Sequence, residues 1–193
     1  MIERKQTPPV FKVYTRYKPY LRLDFFFRCA YCGITEYRWG SDRNFVVEHF
    51  RPKSRFPKLA CTYSNLYYAC NRCNDFKSDI WPSALLFKKG YGWADPCASE
   101  VYVEHLFELE DGTLAARTNI GEYTMTHLRL NGRPYLVQWR RERRELIADV
   151  EATTKIIERV RSSGAKLGQA ERRNLSRLIH SHQKLCERLR LEY

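Results

Sequence analysis

Apolar positions in the first half of the chain fall in short runs, each closed by turn residues. Phe45-Val46-Val47-Glu48-His49-Phe50 is rich in β-branched and aromatic side chains and predicts a strand that Pro52 stops. A loop from Arg51 to Tyr63 leads to Leu66-Tyr67-Tyr68-Ala69, which reads as the antiparallel partner. Asn74 to Asp79 then predicts a short helix that must end before Pro82. Strand, loop, strand and helix form a ββα unit. Ahead of it, Val10 to Arg22 interleaves aromatic with basic side chains, a pattern open to helix or extended chain. Behind it, Asp95-Pro96 reads as a turn, Glu100 to Glu110 as a β-like stretch and Asp111-Gly112 as a hairpin signal. From Pro134 the period changes: Leu146, Ile147, Val150, Ile157 and Val160 recur at helical spacing. After a break at Ser162-Ser163-Gly164, so do Leu175, Leu178, His182, Leu185 and Leu189, which predicts an antiparallel helical pair.

A chain of 193 residues can bury a core in one or at most two domains. Its longest apolar runs, such as Phe25-Phe26-Phe27 and Ala84-Leu85-Leu86-Phe87, fall far short of the roughly 20 residues of a membrane span. Met1 to Pro9 contains no apolar stretch followed by a small-residue cleavage site, so a cytoplasmic protein without membrane contact is expected. The net charge of +12 is uneven: residues 1–60 hold 13 Lys/Arg against 5 Asp/Glu, residues 133–193 hold 15 against 8, and residues 61–132 hold 6 against 9. Basic ends flanking an acidic middle favour a polyanion, and nucleic acid is the commonest one. Solvated helix faces produce similar counts, so charge alone names no activity.

Of seven cysteines, four form two Cys-x-x-Cys pairs, Cys29/Cys32 and Cys70/Cys73, with 37 residues between them. The odd total and the paired spacing point to metal and away from a disulfide framework. Four thiolates fill a tetrahedral zinc site and leave no open position, so this Zn²⁺ is expected to hold the fold. Gly33 suits the tight turn after the first pair, and Cys61, Cys97 and Cys186 read as small buried hydrophobes.

Between and just beyond these pairs lie Glu48-His49-Phe50-Arg51-Pro52-Lys53-Ser54, Ser64-Asn65-Leu66 and Cys73-Asn74-Asp75-Phe76-Lys77. Residues 29–79 resemble the HNH endonuclease family, with His49 at the first His, Asn65 at the central Asn and Asn74 at the last letter, an H-N-N variant. The run from Glu48 through Ser54 is similar to the HNH subunits that accompany ATPases in Septu-like and retron-linked phage-defence systems. A looser similarity extends through Asp95-Pro96 and Leu128-Arg129-Leu130-Asn131. The resemblance implies metal-dependent phosphodiester hydrolysis that leaves a 5′-phosphate.

The residue types suit that chemistry. A neutral imidazole deprotonates water near pH 7, which makes His49 the candidate general base. Glu48 and the Asn74 amide oxygen are donors for a hard cation, Mg²⁺ or Mn²⁺, and an amide in place of a last histidine disfavours Zn²⁺ or Ni²⁺ there. Asn65 is expected to orient the loop around His49, and Arg51, Lys53 and Lys77 to touch phosphate. Strand alternation sends neighbouring side chains to opposite faces, so joint use of Glu48 and His49 requires a twist or bulge at Glu48. Asn71 and Asp75 lie off the motif and are expected to face solvent or cap, while His105, His127, His180 and His182 have no comparable setting.

The expected architecture is α+β: a ββα-metal core stapled by a tetracysteine zinc knuckle, with a helical C-terminal extension. Its divisions are a basic, aromatic segment over 1–28, the nuclease core over 29–94, a small β-containing module over 95–132 and the extension over 133–193. The expected activity is endonucleolytic, with DNA preferred over RNA; a further reading keeps the nuclease but makes it a subunit whose substrate is chosen by a partner ATPase or other sensor subunit. The alternative is a non-catalytic zinc-knuckle module that binds nucleic acid through its basic surface alone.

Overall fold

In the computed structural model, which describes residues 1–163 and 167–192, the expected hairpin forms in unbroken register. Strand β1 (Phe45–His49) lies antiparallel to β2 (Leu66–Cys70), from Phe45 opposite Cys70 to His49 opposite Leu66. All five residues of β2 are buried, which explains its continuous run of apolar and aromatic side chains. Helix α1 (Lys18–Asp24) covers the hairpin, with Leu21 fully buried and Phe25 just beyond its end stacking at 5.3 Å from Tyr67. The basic, aromatic opening stretch is thus helical from Tyr14 onward, first as a 3-10 turn and then as α1. Buried Asp24 ties the N-terminal segment down, accepting from the Lys5 and Gln6 amides at 2.9 Å and from the Tyr63 hydroxyl at 2.6 Å.

Helix α1 ends on a left-handed double turn. Phe26 N–H donates to Leu23 O at 3.1 Å and Phe27 N–H to Arg22 O at 2.9 Å, with φ of 53° and 61° at the two phenylalanines. Glycine normally fills such a helix end, and an L side chain there costs about 1–2 kcal/mol per residue. Both rings remain exposed.

Helix α2 (Glu36–Trp39) follows the first cysteine pair, capped by the Thr35 side chain. Helix α3 (Asn71–Lys77) starts directly after β2, earlier than the pattern predicts, because Cys70 is its cap and its sulfur accepts from the Cys73 amide at 3.4 Å. The second cysteine pair is itself the first helical turn. Helix α4 (Ala84–Lys88) leads to the acidic middle of the chain. There the predicted β-like stretch divides into α5 (Val101–Glu104) and β3 (Leu106–Glu108), and β3 pairs with β4 (Leu114–Ala116) across the expected Asp111-Gly112 turn. Glu104 accounts for the helical part, since its carboxylate accepts from the Glu100 amide at 2.6 Å and closes the first turn. Helix α6 (Asn119–His127) escapes the sequence pattern because Gly121 sits in its first turn. That glycine is required: a Cβ would run into the His105 carbonyl.

The chain forms two units, Met1–Gln138 and Trp139–Tyr193. Helix α7 (Pro134–Ser162) begins in the first and provides one half of the second. Its partner is α8 (Gln169–Glu192), where His182 meets Thr153 of α7 at 2.8 Å and Leu175 and Leu178 share a small cavity with Val160. The two run antiparallel, as predicted. Of the expected break, Ser162 ends α7 and Gly164 lies outside the described residues. No described helix is long and apolar enough to cross a membrane.

Candidate active site

The four paired cysteines converge: the sulfurs of Cys29, Cys32, Cys70 and Cys73 lie within 4.8 Å of one another, all buried. A tight turn presents the first two, closed by Gly33 N–H donating to Cys29 O at 3.0 Å with Gly33 at φ 73°. Zinc–sulfur bonds of about 2.3 Å in a tetrahedron put sulfurs about 3.8 Å apart. The Cys32 and Cys70 sulfurs stand at 3.8 Å, so the cluster fits a zinc ion with no position left open. Arg133 is buried against it and donates from Nη2 to the Cys73 sulfur at 3.4 Å. Burial works against the Arg133 charge, but Cys73 and Cys32 outweigh it and hold the guanidinium more firmly charged than usual.

A cleft of about 810 Å³ opens along β1, from Phe45 to His49, bordered also by Tyr14, Lys18, Arg43, Lys53, Asn74, Asp75, Ser78 and Asp79. His49 Nε2 lies 2.9 Å from Ala60 O. A carbonyl only accepts, so Nε2 carries the proton and Nδ1 is left as a lone pair. Tyr14 packs edge-on to the ring at 4.6 Å. Burial lowers the His49 pKa below its ordinary 6.5, against weaker support from Ala60 and Glu48, and Lys53 and Lys77 push it further down. The imidazole is therefore neutral near pH 7 and has an unshared nitrogen.

Asn65 Oδ1 accepts from the Arg51 amide at 2.9 Å, and Nδ2 donates to Arg51 O at 3.1 Å and Leu59 O at 3.3 Å. Leu59 immediately precedes Ala60, whose carbonyl fixes the imidazole, so the amide closes the loop that aims His49.

Three expected site residues, Glu48, Lys77 and Arg51, are placed otherwise. The hairpin has no bulge at Glu48, so strand alternation sends its carboxylate away from the His49 ring. Oε1 pairs with the Lys77 ammonium at 2.6 Å, and Oε2 accepts from the buried Tyr31 hydroxyl. Lys77 also donates to His49 O at 2.8 Å and is 0% exposed. A carboxylate committed to two buried donors is not a free ligand for a catalytic cation, and a fully buried ammonium touches no phosphate. Arg51 lies outside the cleft lining, over the Phe56 ring at 5.8 Å. Lys53 does line it, 3.4 Å from the Tyr14 hydroxyl, and so does Asn74 on α3.

The sequence reading missed Lys18 and Arg43, which reach the cleft from remote segments, and Asp75, Ser78 and Asp79, which border it with Asn74. The last group follows directly on Asn74 in sequence, but α3 ends at Lys77 and Ser78 turns left-handed at φ 42°, so only the tertiary structure brings Ser78 and Asp79 to the cleft.

The sequence model of the HNH endonuclease family matches residues 29–79, from the first cysteine through Asp79. The match marks a nuclease-family domain over this segment and implies nucleic acid as its substrate. A comparison with curated proteins finds no match.

Proposed function

We propose that the chain is a metal-dependent endonuclease in which His49, through Nδ1, is the general base that takes a proton from water attacking a phosphodiester. The observation that carries this reading is the Nε2–Ala60 contact at 2.9 Å, which commits one ring nitrogen and leaves the other as a lone pair on a cleft residue. A non-catalytic binding module would not need that tautomer. Lys18, Arg43 and Lys53 border the cleft and would hold the phosphate. Asn65 is a positioning residue acting through the Leu59–Ala60 backbone, and Glu48 with Lys77 anchors β1 to α3.

The donor set suits a hard cation: Asn74 with the carboxylates of Asp75 and Asp79 would hold Mg²⁺ or Mn²⁺, and none of these groups favours a soft metal. When bound there, such an ion supplies positive charge opposite the scissile phosphate. The cysteine cluster would hold structural Zn²⁺, and its reduced thiols suit a cytoplasmic protein. The likeness of Glu48–Ser54 to phage-defence HNH subunits supports DNA as substrate and a partner ATPase or sensor that delivers it.

The test is cleavage of labelled DNA and RNA by zinc-loaded protein with added Mg²⁺ or Mn²⁺. His49→Ala should lose about 10²–10⁴ in rate while zinc content and nucleic-acid binding persist. Asn74→Ala should recover in part with extra metal, and His49→Ala should not. Wild-type rates from His49→Ala, or a wild type inert on every substrate, overturn the reading.

A further inference from the structure

Resting on that nuclease reading, we infer that Phe26 and Phe27 form a stacking platform for an unpaired nucleobase of the strand whose phosphate lies in the cleft. The substrate class is then nucleic acid with a single-stranded or splayed segment beside the cut. Both residues work against the fold. They hold left-handed φ of 53° and 61°, where glycine is the unstrained choice, and the two residues are 47% and 43% exposed. They are nevertheless rigidly mounted, between buried Asp24 and Phe25 on one side and buried Cys29 on the other.

Two cations lead to them, each already paired with an acid, Arg22 with both oxygens of Glu36. Lys18 and Arg22 stand at i,i+4 on one face of α1 and reach toward the same neighbouring segment, Lys18 to Asp42 at 3.8 Å and Arg22 to Glu36 at 2.7 Å. Lys18 borders the cleft, and the Arg22 guanidinium, its side chain 41% exposed, lies 4.7 Å from the Phe27 ring centre. Cleft, Lys18, Arg22 and Phe27 thus follow one line along α1. From Lys18 to the end of α1 at Asp24 a helical rise spans about 9 Å, or roughly three nucleotide steps of a stacked strand. Exposed aromatic rings with an arginine plane beside them recognise unpaired bases of any sequence.

The experiment measures affinity of the zinc-loaded full chain for labelled single-stranded and duplex DNA of the same sequence by fluorescence anisotropy. In Phe26→Gly/Phe27→Gly, glycine relieves the strain, so the melting midpoint should equal or exceed that of wild type. Single-strand affinity should fall about tenfold to a hundredfold, and duplex affinity should stay within about twofold. Phe26→Tyr/Phe27→Tyr should keep the single-strand affinity. Unchanged single-strand affinity in the glycine variant, with wild type still binding and cutting, overturns this inference alone and would fit a protein-docking patch. Equal losses on single strand and duplex overturn it too. A wild type that binds neither form removes the nuclease reading itself.

Discussion

The two ends of one hairpin make opposite sites from the same pair of strands. Where Cys70 faces Phe45, four sulfurs crowd together at no more than 2% exposure, closed over by Arg133. Where His49 faces Leu66, the strand borders an open cleft whose cations Lys18, Arg43 and Lys53 are matched by Glu48, Asp75 and Asp79. Four strand steps, about 13 Å, separate them. Burial makes the difference: thiolates shut away from water are stable only around a cation, whereas an imidazole at a cleft wall can exchange protons with what enters. Glu48 borders the same cleft as its neighbour His49, but its charge is answered by Lys77 in the interior.

The largest expected effect tests the closed end. Zinc binding to such sites is worth about 10–16 kcal/mol of folding free energy, so Cys73→Ala should lose both the metal and the cooperative fold of the ββα unit. Elemental analysis and far-UV circular dichroism read this out. Wild-type zinc content with an unchanged melt would break the comparison.

Next comes the Glu48–Lys77 pair. Lys77→Met leaves a buried carboxylate without its cation, which costs about 3–5 kcal/mol and should lower the melting midpoint by about 10 °C. Glu48→Leu/Lys77→Met should regain at least half of that loss, measured by calorimetry. If Lys77→Met instead melts normally and cuts nothing, the pair works at the open end and its assignment here is reversed.

The smallest effect sharpens the open end. His49 has a folded pKa below 6.5, so its neutral form contributes stability above pH 6.5, and this contribution is lost as pH falls through the lowered folded value. The cleavage rate should hold its plateau as pH falls to 6.5 and reach half-maximum only below it. In His49→Asn the matching slope of stability below pH 6.5 should disappear. An acid limb centred above 6.5 would assign the base to another group.

Much was legible in one dimension because its causes are local. The β-branched and aromatic runs specified both strands, the doubled Cys-x-x-Cys spacing specified the cluster, and the turn at Asp111-Gly112 specified the second hairpin. His49 and Asn65 are named through the resemblance to the HNH family, and in the structure Asn65 bonds to the Arg51 and Leu59 backbone.

What tertiary structure alone decided was direction and company. Whether Glu48 met a cation in the cleft or an ammonium in the core depended on strand alternation and on Lys77 arriving from α3. The His49 tautomer depended on a carbonyl 11 residues away, and the cleft needed Lys18, Arg43 and Asp79 brought from separate segments. The left-handed turn at Phe26-Phe27 lay outside any local pattern, since nothing in three consecutive phenylalanines announces a glycine-like backbone. Sequence periodicity reports which side chains prefer burial. Which buried group answers which charge is set only when distant segments meet, because those energies act over a few ångströms of space and not along the chain.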